Sequence, residues 1–188
     1  MSQPLCSLEL PCFLDFEASS LSGESYPIQV AWSDPRGRID CVLIRPEDDW
    51  TDWDEHSEEA HGLDRGVVVR DGLSPALVCR RLNETLAGHT VLCDALSMDR
   101  FWLMRLFEAG NRMPAFRLGD IMPLVRDRLS LGLGLGEDAA PEQVQALQDQ
   151  AWRNVPGHAH RADYDVGFLI ELWRLSGEQG QRPQAQGR

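Results

Sequence analysis

Lysine is absent. All 18 basic residues are arginines, set against 30 acids, and the formal net charge is −12 over 188 residues. A chain without lysine has no P-loop, whose lysine reaches nucleotide phosphates, and no side-chain Schiff-base nucleophile. An acidic chain with no lysine-rich tail is also ill suited to coating long nucleic acid, which needs many phosphate contacts, although a local basic groove stays open to it. No CxxC pair occurs among the five cysteines (Cys6, Cys12, Cys41, Cys79 and Cys93). That excludes zinc ribbons and thioredoxin-like redox motifs. No apolar run approaches the roughly 18 residues of a membrane span. The first residues lack the charged and apolar regions of a secretory signal. A cytoplasmic protein with reduced thiols and no membrane partner is expected.

What is present suits one globular domain. Hydrophobic residues make up 43% and charged residues 26% of the chain, which is ordinary for a soluble fold. A chain of this length can bury about 70% of its unfolded surface. The domain is placed at residues 1–176. Residues 177–188 carry no apolar side chain beyond one alanine and read as a flexible tail.

Three strands come first: CFLDFEA (12–18), YPIQVAWSD after a serine-rich turn, and RIDCVLIRP after the turn Pro35–Gly37. Their short connections predict an antiparallel meander. Glu47 to Glu59 reads as a loop or short helix. Ser74-Pro75 opens a helix with an N-cap candidate and proline in its first turn; Leu77, Val78, Leu82 and Leu86 form its stripe, and Gly88 ends it. The strand HTVLCDA, a helix over 99–109, the strand PAFRLGD and a short helix IMPLVRDRL follow. LGLGLGE reads as a loop, and helices over Pro141–Trp152 and ADYDVGFLIELWRL complete the chain. Strands followed by alternating helices and strands predict an α/β or α+β layered domain.

The chemistry lies in the acids and one histidine. Asp15 and Glu17, two apart in an otherwise apolar strand, share a face roughly 6–7 Å apart. Like charges so placed repel, and a divalent cation relieves them; an exposed face carrying two acids is the plainer reading. Asp99 opens an apolar helix and suits the helix dipole, while Asp94 rivals it at the end of the preceding strand. In GHAHRADYD, His160 precedes the last helix and Asp165 falls in its first turns, a pairing that suits metal-assisted hydrolysis. His158 and His160 could instead form a zinc pair, or Asp163 could simply cap the helix.

In order and spacing, FLDFEASSL, HTVLCDALSMDRFWL and HRADYDVGFL resemble the DEDDh (DnaQ-like, RNase T-like) 3′–5′ exonuclease family. The element His61-Gly62-Leu63 is a fourth match, and together the matches span Cys12 to Leu175. Here Met98 stands where many relatives have phenylalanine, and the segment is one residue longer; Phe101-Trp102-Leu103 favours Asp99 over Asp94. The resemblance implies an RNase H-like α/β fold, a mixed central sheet with a three-strand antiparallel meander, flanked by helices. It implies a catalytic site of Asp15, Glu17, Asp99 and Asp165 holding two Mg²⁺ or Mn²⁺ ions, with His160 as general base. Such ions, about 3.5–4 Å apart, clamp the scissile phosphate. The implied reaction releases nucleoside 5′-monophosphates from the 3′ end of single-stranded DNA or RNA, or of short oligonucleotides. By position, Ala18, Ser19, Leu21 and Leu63 would contact the terminal nucleotide, both leucines packing on bases as apolar wedges or serving the core. The resemblance also allows a homodimer. A catalytically inactive nucleic-acid-binding or scaffold module is the alternative, although such modules usually lack one of these carboxylates.

Overall fold

The computed structural model describes residues 9–133, 139–157 and 160–178. Strand β1 (Cys12–Ala18) pairs antiparallel with β2 (Pro27–Ser33), which pairs antiparallel with β3 (Ile39–Leu43). This is the expected meander. On its other side β1 runs parallel to β4 (Thr90–Cys93), and β4 parallel to β5 (Arg117–Asp120), so the order is β3-β2-β1-β4-β5.

The helices among the described residues are α1 (Glu55–His61), α2 (Arg65–Asp71), α3 (Pro75–Leu86), α4 (Leu96–Ala109), α5 (Ile121–Leu133), α6 (Pro141–Asn154) and α7 (Ala162–Glu178). Two prolines mark helix starts as the sequence predicts, Pro75 and Pro141. Ser74 occupies the N-cap of α3, yet its side chain makes no capping bond.

Four differences from the expected elements have local causes. Helix α2 has no counterpart in the sequence pattern; it is capped by Asp64, whose carboxylate accepts the Val67 N–H at 2.9 Å. Helix α4 begins at Leu96, three residues early, because the Ala95 carbonyl accepts the Met98 and Asp99 N–H groups. Helix α5 continues to Leu133, into the glycine-rich run expected to be a loop; residues 134–138 lie outside the described residues. Helix α7 reaches Glu178, taking the first two residues of the expected tail, and the remainder of that tail is likewise outside.

Alternation along β1 divides the molecule. Cys12, Leu14, Phe16 and Ala18 enter one core with Val78, Leu82, Trp102 and Leu106 from α3 and α4. Phe13 enters a second core with Val125, Leu147, Val166 and Leu169 from α5, α6 and α7. Each fully buried side chain of this kind stabilises the fold by roughly 1.5–3 kcal/mol. Strand β2 is buried along its whole length because both layers cover it. By the same alternation, Asp15 and Glu17 share the face of Phe13, beneath α7.

Candidate functional site

Glu17 and Gln29 are cross-strand partners on β1 and β2. Gln29 is buried, and its Oε1 accepts the Ala162 N–H at 3.2 Å, which pins the start of α7 over the end of β1. Asp165, in the first turn of α7, turns back so that Oδ2 accepts the Arg161 N–H at 3.1 Å. This geometry brings Asp15, Glu17 and Asp165 together, each offering a carboxylate oxygen within 4.8 Å of the others.

Asp99 arrives from the other layer, where β4 has parted from β1. It is 1% exposed, and neither carboxylate oxygen has a hydrogen-bond partner. The Cys93 thiol and the Ala95 and Phe16 N–H groups lie beside it without forming hydrogen bonds to it. A bare buried carboxylate costs free energy, which a proton or a bound cation offsets. Asp94, the alternative to Asp99 in the sequence, is exposed at the rim and adds its charge to the others.

The acids resist ionisation together. Burial, followed by the charges of Asp99, Asp165, Glu17 and Asp94, pushes Asp15 well above the carboxylate range. Burial and the Asp165 charge raise Glu17 to about 8, with Arg161 opposing. Burial raises Asp99 to about 7 and Asp165 to about 6, the latter held down by the charge of His160. An all-oxygen donor set that repels itself suits a hard divalent cation such as Mg²⁺ or Mn²⁺.

His160 stands exposed just ahead of α7, in a left-handed backbone conformation (φ 66°). Histidine tolerates that region better than most residues. His158 lies outside the described residues, so the zinc pair has no geometry to report. His61 closes α1 and is buried, its Nδ1 accepting the Leu63 N–H at 3.0 Å.

The positions expected to meet substrate diverge. Ala18 and Ser19 are buried at the end of β1, next to a bulge in its pairing with β2. Leu21 is 78% exposed, at the edge of a groove of about 560 Å³ shared with Trp53 and His56. Leu63 is 6% exposed and packs in the core of the α3–α4 layer.

Two contributors are not evident from the sequence motifs. Asp52 accepts hydroxyl hydrogen bonds from Ser19 (3.2 Å), Ser20 (2.6 Å) and Ser22 (3.2 Å), which organises the chain that leaves β1. Nothing in the acidic run around it distinguishes this aspartate. Arg161 stands among the site's acids. Its place inside HRADYD, between the histidine and the aspartate, is the one signal that could have found it.

The architecture has counterparts among solved structures. E. coli exonuclease I, in a zinc-bound complex with single-stranded DNA, superposes with a TM-score of 0.67 and 19% identity over 91% of this chain and 41% of that one. Exonuclease I of Methylocaldum szegediense gives 0.63 and 20% identity over 92% and 41%. The E. coli enzyme with a dA16 oligonucleotide gives 0.62 and 16% identity over 92% and 42%. The fold is shared with exonuclease I. It is α/β and RNase H-like, a mixed five-stranded sheet flanked by helices. This chain spans about two-fifths of the length of those proteins. No protein-family profile and no curated protein matches it by sequence. Among the described residues, no helix is long and apolar enough to cross a membrane.

Proposed function

We propose that this chain is a metal-dependent 3′–5′ exonuclease acting on single-stranded DNA or RNA, or on short oligonucleotides, and releasing nucleoside 5′-monophosphates. One observation carries the reading: Asp15, Glu17 and Asp165 converge at the end of β1, with the bare carboxylate of Asp99 behind them. The likeness to exonuclease I, crystallised with single-stranded DNA, supports the same reading.

Asp15, Glu17 and Asp165 would hold the cations, and Asp99 would complete the donor set from the opposite layer. Bound divalent ions supply Lewis acidity and lower the pKa of a water nucleophile. His160, exposed just ahead of α7 and near enough to Asp165 for its charge to act on it, would take the proton from the attacking water and pass it to solvent. Leu21 presents an apolar surface to the terminal bases, a contact indifferent to sequence. Ala18 and Ser19 place the backbone against which the terminal nucleotide would lie.

The test uses purified protein with 5′-labelled single-stranded DNA and RNA oligomers, in Mn²⁺ or in EDTA. A metal-dependent ladder that shortens from the 3′ end is expected. Absence of cleavage from a folded protein that still binds Mn²⁺ would move the assignment to another phosphodiester. Absence of both cleavage and metal binding would favour a binding module.

A further inference from the structure

Arg161 joins the structure's acidic cluster without pairing to it. Its backbone closes the first turn of α7: its N–H donates to Asp165 and its carbonyl accepts from Tyr164 and Asp165. Its side chain lies close enough to Glu17, Cys41 and His61 for its charge to act on all three. Yet the three ion pairs among the described residues are Arg38–Asp34, Arg70–Asp71 and Arg80–Glu84, and Arg161 enters none. Its Nε is buried with no hydrogen-bond partner.

A guanidinium in this position has donors to spare. It carries five in a planar fork, and the fork matches a carboxylate or a phosphate. The carboxylates beside it already face one another and suit a cation. Once they hold a cation their negative charge is offset and their pull on the arginine weakens, while the guanidinium, which enters no ion pair, keeps its donors. What remains for the fork is an anion that enters with the substrate.

We propose that Arg161 binds a non-bridging oxygen of the substrate phosphate on the nucleotide being released. This inference rests on the nuclease reading for the name of the substrate, but not for the chemistry of the anion. The contact gives an acidic protein one fixed cation at the place where it must accept a phosphate. It also predicts that the released nucleoside 5′-monophosphate is held by its phosphate and competes with substrate.

The experiment is equilibrium binding of thymidine 5′-monophosphate and of thymidine, with Mn²⁺ present, to the wild type, Arg161→Gln and Arg161→Lys. Charge-assisted contacts of this kind correspond to about 10- to 100-fold in affinity. Arg161→Gln should weaken the monophosphate by that factor and leave thymidine unchanged. Arg161→Lys, which keeps charge but loses the fork, should fall between. Mn²⁺ affinity should hold or rise in Arg161→Gln, since a cation has been removed from beside Glu17. A twofold or smaller change in monophosphate affinity in both variants, with the fold intact by circular dichroism, would overturn the proposal and leave Arg161 a charge-balancing residue. If wild-type protein binds the monophosphate through Arg161 but cleaves no oligomer, this inference stands and the nuclease reading falls. If it cleaves oligomers while both variants match its kcat/KM and monophosphate affinity, this inference falls alone.

Discussion

Ser20 donates its hydroxyl to Asp52 at 2.6 Å, tying the turn that leaves β1 to the acidic segment before α1. Ser19 and Ser22 bind the same carboxylate, and the Asp54 N–H donates to the Ser19 carbonyl at 3.0 Å. The turn so held carries Leu21 out into solvent. Asp52→Ala removes three acceptor contacts at once and should cost about 1–2 kcal/mol of stability. It should also raise KM for oligonucleotides several-fold with a smaller change in kcat, because positioning rather than chemistry is lost. Steady-state kinetics beside a melting curve checks both.

Asp15 sits in the field of four other acids, so neutralising it should relieve the fold while ending its function. Asp15→Asn is expected to raise the melting temperature of metal-free protein by a few degrees, since about 1 kcal/mol corresponds to 2–4 °C at this size. The Mn²⁺-induced rise in melting temperature and all nuclease activity should disappear. A melting curve with and without Mn²⁺, run beside an oligomer assay, separates the two effects; activity at wild-type level would remove Asp15 from the site.

The same repulsion dictates a pH dependence. Glu17, Asp99 and Asp165 titrate in the folded chain at about 8, 7 and 6, above their ordinary 4.5, 3.8 and 3.8. The folded state therefore binds more protons than the unfolded one across that window, and metal-free stability falls as pH rises through it. His61, lowered by burial from 6.5, acts in the opposite direction below that value. Three carboxyls outweigh one histidine, so the net decline should run from about pH 5 to 8. Melting temperatures in EDTA should drop over this range, and saturating Mn²⁺ should flatten the slope by replacing protons. A flat or rising EDTA curve would contradict the clustering.

His160→Ala should slow hydrolysis by about 10²–10⁴, the size of a general-base contribution. Because the histidine is exposed and lies outside the set of carboxylates that would hold the cations, the Mn²⁺-dependent thermal shift should be kept. Wild-type turnover in this variant would reassign the base.

Gly157, at φ 146°, occupies backbone space that side chains rarely use, and a Cβ there would run into the ring of Tyr164. Gly157→Ala should therefore displace the approach to His160 and Asp165, with a destabilisation of about 1–3 kcal/mol. Activity should fall at least in proportion. Adding Tyr164→Ser makes room for the methyl group and should recover part of both losses in melting temperature and rate. A single mutant indistinguishable from wild type would mean that the ring yields freely and that Gly157 sets nothing at the site.

Some of this protein was legible from the linear chain. The alternation of CFLDFEA sets β1 and puts Asp15 and Glu17 on one face, because side chains in a strand repeat every two residues. Proline at the first helical turn marks α3 and α6 by a local constraint on φ. Turn residues announce the meander, and the order of the acidic motifs points to the site. Other features depended on contacts between distant segments. Whether Asp94 or Asp99 is buried turns on α4 starting at Leu96, which carries Asp99 inward and leaves Asp94 at the rim. Leu21 and Leu63, alike in sequence, part company because only Leu63 meets the core beneath α3 and α4. Asp52 became a partner of three serines, and Arg161 a neighbour of Glu17, only when the layers closed. Local patterning settles which face of an element a residue occupies; which residue waits opposite is settled by packing, since that partner belongs to a remote part of the chain.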